Sequence, residues 1–219
     1  MTNTLDLKMI EKKAFRAVHQ DGLWDIYIGG VVLSMSILAN TFSSEDDNSL
    51  LRFGLYLAGL GLFYLLFWAG KKYITIPRLG QVKFGPRRQK RRLMMMLVLA
   101  GIVLLQLVIL VGTILLWKNP ECAAALGFSQ TDPDLERLLV ATIGALFVGP
   151  SMVFLAYFNE FMRGYYIAVI LSLAVFSLIW FGEPVYLILA GLLILIPGVV
   201  LLIRFLRNHH LPPAEVSYD

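Results

Sequence analysis

The residues in this sequence with the widest chemical use are its three histidines. His19 stands close to Asp21 and Asp25, and His209 and His210 are adjacent in a polar, proline-containing tail. Histidine and aspartate can share a metal ion or exchange protons, so a metal or acid–base cluster is one interpretation of these five residues. Simple exposure of the two tail histidines is the other, and it is the one that we expect. We therefore predict no catalytic residue and no metal ligand.

Motifs that would indicate an enzyme or a cofactor do not occur in the chain. No P-loop, HExxH, GxSxG or CxxC pattern is present. Cys122 is the single cysteine, so it cannot form a disulfide within the chain. We predict a protein without a cofactor, and enzymatic activity is the weakest of the functional hypotheses.

The connection formed by residues 71–92 carries an unusual share of the positive charge. A cation beside an anionic membrane surface contributes roughly 1 kcal/mol of binding, so this connection is expected to bind anionic lipids. A docking site for a cytoplasmic partner or for a polyanionic lipid headgroup is the alternative. Nucleic acid is not expected as a partner, because no nucleic-acid-binding domain is recognisable. The nine predicted lipid- or partner-binding residues are Lys71, Lys72, Arg78, Lys83, Arg87, Arg88, Lys90, Arg91 and Arg92.

The first part of the same connection has the residue pattern of a short β-hairpin. Tyr73–Ile76 and Val82–Phe84 are rich in β-branched and aromatic residues, and Pro77 and Gly80 lie between them. We therefore predict a cytoplasmic β-hairpin, which would offer an edge strand to a partner.

Helix-breaking residues occur in the middle of two apolar segments, as Gly149-Pro150 and Pro197-Gly198. Interrupted helices often form the binding centre of transporters, so these residues could mark a transport path. The other interpretation is that they only kink packed helices. Gln106, in the middle of a third segment, would also be costly to expose to lipid.

The composition places the chain in the membrane class. Of its 219 residues, 58% are hydrophobic and 16% are charged. Soluble domains are less apolar and more charged than this, and a chain of this length could not bury so much apolar surface in one core. We predict an all-α bundle of six transmembrane helices, since each of six segments supplies close to twenty apolar residues. The segments are Leu23–Phe42, Leu51–Gly70, Leu93–Trp117, Leu138–Phe158, Tyr165–Phe181 and Val185–Phe205.

The last two segments are separated by Gly182-Glu183-Pro184, where we predict a turn. If that turn were absent, the two segments would merge and the chain would have five spans.

Charge asymmetry predicts the orientation of these spans. With six spans, all of the nineteen lysines and arginines except Arg52, Lys118 and Arg137 fall on one side. Cytoplasmic loops carry the excess of basic residues, so both termini and residues 71–92 are expected in the cytoplasm. The predicted location is the cell (inner) membrane, with multiple passes.

The chain is thereby divided into five regions. Residues 1–22 have apolar positions at helical spacing and are predicted to form an interfacial amphipathic helix. Residues 23–70 form the first pair of spans, 71–92 the basic connection, 93–205 the remaining four spans and 206–219 a cytoplasmic tail.

These observations favour a non-enzymatic accessory, scaffold or regulatory membrane subunit. A small transporter or channel with a path near the fourth and sixth spans is the first alternative, and a membrane-edge enzyme acting on lipid is the second. The sequence leaves the oligomeric state and the identity of any partner open.

Overall fold

The regular elements of the chain are helical wherever the computed structural model describes them, in residues 19–43, 49–79, 86–118 and 133–209. The all-α class predicted from the composition is therefore confirmed for these ranges. The elements are α1 (Leu23–Ser43), α2 (Ser49–Ala69), a π-helix (Gly70–Thr75), α3 (Ile76–Leu79), α4 (Pro86–Lys118), α5 (Pro133–Phe158), α6 (Arg163–Phe181) and α7 (Val185–Asn208).

Five helical stretches in these ranges are long and apolar enough to cross a membrane. The helix α4 contains a shorter apolar stretch, Leu93–Ile109, where the third span was predicted. The five candidates therefore correspond to the first, second, fourth, fifth and sixth predicted segments. They are Leu23–Asn40, Ser49–Leu79, Asp134–Phe158, Arg163–Phe181 and Val185–Asn208.

The prediction of a β-hairpin after the second span is wrong for its first arm. Tyr73–Ile76 is helical, because α2 continues through the π-helix into α3 without an extended segment. The β-branched residues there favour a strand only weakly, and tertiary contacts override such preferences. The second arm, Val82–Phe84, lies outside the described residues. So do residues 1–18 of the predicted interfacial helix and residues 210–219 of the tail.

The turn predicted between the last two segments is confirmed. The helix α6 ends at Phe181, and Gly182 adopts a left-handed conformation with φ 76°. Its N–H donates to the carbonyl of Leu178 at 2.9 Å, which closes the last turn of the helix. The next helix then begins at Val185.

Two compact units make up the described chain. The first contains α1, α2, the π-helix, α3 and the part of α7 that begins at Leu187. The second contains α4, α5 and α6 and extends to Tyr186 at the start of α7.

In the first unit, α1 and α2 form an antiparallel pair. Gly70, at the end of α2, leaves room for Leu23 at the start of α1. Further along, Gly59 lies against Ser34. Residue numbers therefore rise along α1 as they fall along α2, and the start of α1 meets the end of α2.

Helix α1, together with Gly22 just before it, packs on α7. The two contacting glycines on each side of this interface are seven residues apart. Gly22 lies against Gly198, and Gly29 lies against Gly191 and Leu195. A methyl group added at Gly29 would lie only 2.8 Å from the backbone nitrogen of Leu195. The two backbones approach this closely because neither carries a side chain at the contact, which is the usual packing of membrane helices.

The second unit is built on the pairing of α5 with α6. Gly164 contacts Ala156 near the turn between the helices, and Gly149 contacts Ser172 further along. The hydroxyl of Ser172 also donates to the carbonyl of Ala145 at 3.1 Å. A serine in an apolar helix thus satisfies its hydroxyl within the pair.

The outer faces of the helices are apolar and exposed. No residue of α2 is buried, although the helix is rich in leucine and phenylalanine. Apolar surface of this extent is suited to lipid and not to water.

We predict that Gly29→Ala destabilises the protein and that Gly61→Ala does not. The new methyl group at position 29 would overlap the backbone of α7, and overpacking of this kind typically costs about 1–3 kcal/mol. Gly61 lies in open space on α2 and is the matched control. Thermal unfolding in mild detergent measures both variants. Equal melting temperatures would contradict the close approach of α1 and α7.

Candidate functional site

The carboxylate of Asp21 accepts hydrogen bonds from three groups of the first unit. The Lys71 ammonium and the Thr75 hydroxyl both donate to its Oδ2 atom, each at 2.6 Å. The backbone N–H of Leu23 donates to its Oδ1 atom at 3.2 Å. We refer to Asp21, Lys71 and Thr75 as the Asp21 cluster.

The cluster is withdrawn from solvent. The side chain of Asp21 is fully buried, Thr75 is 2% exposed and the side chain of Lys71 is 17% exposed. A buried charge is very unfavourable unless it is paired and hydrogen-bonded, and this carboxylate meets both conditions.

Asp21 is held in place by the turn that begins α1. Gly22 has a φ of 78°, a conformation that other residues resist, and its carbonyl accepts the first helical hydrogen bond, from the N–H of Ile26 at 3.1 Å. The chain thereby turns the Asp21 side chain back toward the N–H of Leu23. A carboxylate at a helix N-terminus is further stabilised by the helix dipole.

The π-helix supplies the two donors. Lys71 and Thr75 are four residues apart and reach the same oxygen atom, so both lie on the side of the π-helix that faces α1. Gly70, the first residue of the π-helix, is buried against Leu23 and permits the close approach. Such short π-helical segments within α-helices frequently occur at functional sites.

Four aromatic side chains, those of His19, Trp24, Tyr27 and Phe67, pack against one another beside the cluster. His19 stacks on Trp24 with ring centroids 6.0 Å apart, and Trp24 lies 4.9 Å from Phe67. Tyr27 lies 5.2 Å from Phe67, and the Lys71 ammonium lies 5.8 Å from the centre of the Phe67 ring. These rings give the ion pair apolar surroundings, in which each charge requires a close partner.

Lys72 points away from the cluster. Its ammonium lies 4.7 Å from the ring centre of Trp68 and 5.5 Å from that of Tyr73, and all three residues are exposed. Two consecutive lysines in the predicted lipid-binding set therefore have different environments.

Arg78 connects α3 to the end of α7. Its Nε donates to the backbone carbonyl of His209 at 3.0 Å, and its Nη1 donates to the carbonyl of Ile74 at 3.1 Å. The ring of His209 stacks on Phe205 at 4.5 Å. One arginine thus joins α3 to the residue that follows α7 and also bonds within its own helical segment.

The remaining predicted cations precede α4 in the sequence or belong to its first turns. Lys90 is exposed in the first part of α4. Lys83 lies outside the described residues. Four arginines belong to the same first turns of α4, but their side chains lie outside the described part of the structure: Arg87, Arg88, Arg91 and Arg92.

The residues of the predicted transport path lie in continuous helices. Pro150 is exposed within α5, and its neighbour Gly149 is buried against Ser172. Pro197 is exposed within α7, whereas Gly198 is buried.

The structure gives Gly198 two neighbours on α1, the backbone of Ile26 and the side chain of Asp25, and Asp25 is 4% exposed. Gln106 is half-buried in α4. Gly149 and Gly198 therefore both serve close helix packing.

The structure does not support a metal site formed by the histidines and aspartates in the residues that it describes. Among the described residues, no group of three or more histidine, cysteine, aspartate or glutamate side chains could hold a metal ion. His19 stacks on Trp24 and His209 stacks on Phe205, while His210 and Cys122 lie outside the described residues.

The pairing of Asp21 with Lys71 and Thr75 was not predicted from the sequence. A usable signal was present, because an acid precedes the first span and a base follows the second. In an antiparallel helix pair these positions meet at the same end. The hydrogen bond from Thr75 to Asp21 could not be predicted, since the residue pattern around Thr75 favoured a strand.

Comparison with known proteins adds no assignment: no protein-family model, no curated protein and no solved structure matches the chain.

This arrangement is better suited to holding two helices together than to reacting with a substrate. Both carboxylate oxygens accept hydrogen bonds, and the ammonium beside them is in ion-pair contact. A general base or nucleophile needs an oxygen that can reach a substrate, and here close-range partners from the chain occupy the carboxylate. The cluster joins the start of α1 to the end of α2.

We predict that Lys71→Met lowers the free energy of unfolding by about 3–5 kcal/mol, because it leaves the buried carboxylate of Asp21 without its counter-charge. The double variant Asp21→Asn/Lys71→Met removes both charges and should recover much of this loss. Chemical unfolding in mild detergent measures the difference.

Lys72→Met is the matched control for this experiment. It removes the neighbouring lysine, which is exposed, so we expect a loss below about 1 kcal/mol. Equal losses in Lys71→Met and Lys72→Met, or a double variant as unstable as the sum of its single changes, would refute the role of the buried pair.

Proposed function

We propose that this protein is a multi-pass membrane protein that acts as a non-enzymatic accessory, scaffold or regulatory subunit. In this proposal it has six spans, and its termini and residues 71–92 face the cytoplasm. The surface next to the Asp21 cluster is where it contacts anionic lipid and a partner.

The observation that carries the proposal is the burial of the Asp21 carboxylate together with its hydrogen bonding at both oxygens. Its three donors come from Leu23, Lys71 and Thr75, and the group is fully buried. The best-formed polar site in the described chain is thus used to fix two helices. That use favours a protein whose role depends on a defined surface over one whose role depends on a reactive group.

The helix arrangement of the first unit is consistent with the proposed orientation. Both α2 and α7 run antiparallel to α1, so the start of α1 and the ends of α2 and α7 lie together. These are the ends that carry Lys71, Lys72, Arg78 and Arg207. An excess of basic residues at one end is typical of the cytoplasmic side.

A sixth span is supported by the length of α4. This helix has 33 residues and is therefore roughly 50 Å long, more than the hydrocarbon core requires. Its basic first turns then extend into the headgroup layer, where cations bind anionic lipid.

The proposed contact surface is helical. Tyr73 and Ile76 are exposed beside Lys72, and Tyr73 is 64% exposed. Exposed aromatic and apolar residues beside cations suit either a headgroup layer or a protein partner. Pairing with a partner through an edge strand is no part of the proposal, because Tyr73 and Ile76 belong to helices.

Transport remains the second candidate, and one observation favours it. The carboxylate-bearing residue Asp25 is 4% exposed and lies against Gly198, next to Pro197 in α7. A buried acid within a membrane-spanning helix is a feature of proton- and ion-coupled transporters.

The topology predicts the outcome of cysteine labelling from outside intact cells. A membrane-impermeant maleimide should modify Cys122 in the natural chain, and Asp46→Cys in a chain whose Cys122 is replaced by serine. In the same background it should miss Gln81→Cys and His210→Cys until the membrane is permeabilised. Modification of position 81 from outside would refute the orientation.

The subunit function predicts a stoichiometric partner that depends on the exposed residues beside Lys72. After purification in mild detergent, the natural protein should retain the partner, and the double variant Tyr73→Asn/Ile76→Asn should lose it at unchanged thermal stability. Leu50→Asn is the matched control, since Leu50 is exposed at the opposite end of α2.

Proteoliposomes test the alternatives to this function. The subunit hypothesis predicts neither solute flux nor lipid turnover by the purified chain. Flux that disappears in Asp25→Asn would instead establish the transporter, and turnover of a lipid would establish the membrane-edge enzyme.

A further inference from the structure

Lys71 and Lys72 are adjacent in sequence but have opposite orientations. Lys71 pairs with the buried Asp21, whereas Lys72 lies over the exposed rings of Trp68 and Tyr73. Because Lys71 is occupied by an internal partner, Lys72 is the cation of this pair that can meet an external anion.

The two rings contact the Lys72 ammonium through cation–π interactions, which leave its N–H groups available as hydrogen-bond donors. An ammonium over an aromatic face is attracted by the electrons of the ring. It has three N–H donors, so it can still bind an anionic oxygen. The hydroxyl of Tyr73 is a further donor on the same exposed surface.

The length of α2 places this group at the membrane surface. The helix has 21 residues and is therefore roughly 31 Å long, close to the thickness of the hydrocarbon core. Trp68 lies at its last turn, where indole rings prefer the headgroup layer, and Lys72 follows within one further turn. In the orientation proposed above, Lys72 is therefore level with lipid phosphates.

We infer that Lys72, Trp68 and Tyr73 form a binding position for the phosphate of an anionic phospholipid. The lysine supplies the charge, Tyr73 adds a hydroxyl donor, and Trp68 orients the ammonium and contacts the upper acyl chain. The inference deepens the proposed membrane-surface role, and it rests on that proposal for the position of the bilayer.

Charge complementarity selects an anionic lipid as the occupant. Nine lysines and arginines fall within residues 71–92, and no acidic residue falls there. A zwitterionic lipid offers the same phosphate but adds a cation, which the Lys72 ammonium repels. Free phosphate offers the charge without an acyl chain to lie against Trp68.

Native mass spectrometry of the full chain in detergent tests this site. The protein is titrated with phosphatidylglycerol, phosphatidylcholine and inorganic phosphate, in the natural form and as Lys72→Gln. We expect phosphatidylglycerol to bind most tightly, and the variant to bind it about fivefold more weakly. Lys72→Arg should retain the binding, because it keeps the charge.

Arg207→Gln is the matched control. Arg207 is exposed in the last turn of α7, at the same end of the first unit, and its loss changes the net charge by the same amount. We expect this variant to bind phosphatidylglycerol as the natural protein does. Equal losses in the Lys72 and Arg207 variants would overturn the site and leave only a diffuse attraction of charge.

The aromatic contribution is tested by Trp68→Leu, which keeps the charge of Lys72. We expect this variant to bind phosphatidylglycerol more weakly at an unchanged melting temperature, and unchanged binding would overturn the three-residue site. Equal affinity for phosphatidylcholine or inorganic phosphate would overturn it as well. None of these measurements depends on whether a partner co-purifies, so a failure of the subunit function would be seen separately.

Discussion

The first unit depends on the requirement that a buried carboxylate be fully compensated. Asp21 is removed from solvent, and the free energy of burying its charge is offset only if a cation and hydrogen-bond donors are held close to it. Lys71, Thr75 and the N–H of Leu23 meet that requirement. Meeting it fixes the start of α1 against the π-helix, and with it the direction in which Lys72 points.

Close helix packing and the Asp21 cluster reinforce each other. Gly22 and Gly70 let the backbones around the cluster approach, and Gly29 and Gly191 continue the approach between α1 and α7. Apolar helices have little hydrophobic reason to associate within lipid, so contact of this kind and a few buried polar bonds must hold them together. The outer faces remain apolar and free of such constraints.

The polar groups of the first unit fall into two sets, one that points inward and one that points outward. Those that point inward are used to join helices, as in the Asp21 cluster and in the bond from Arg78 to the end of α7. Those that point outward, such as Lys72 beside Trp68, lie where a membrane surface or a partner would meet them. This division is the basis of the proposed role in binding.

The sequence by itself determined the all-α class, five of the six long apolar segments and the turn at Gly182, because these depend on long apolar runs and on local backbone preferences. It did not predict the helical course of Tyr73–Ile76, since β-branched residues there favour a strand, whereas in the structure α2 continues through the π-helix into α3. The pairing of Asp21 with Lys71 likewise required the tertiary structure. The two residues are fifty positions apart, and only the antiparallel packing of α1 on α2 decides which of two adjacent lysines is turned inward.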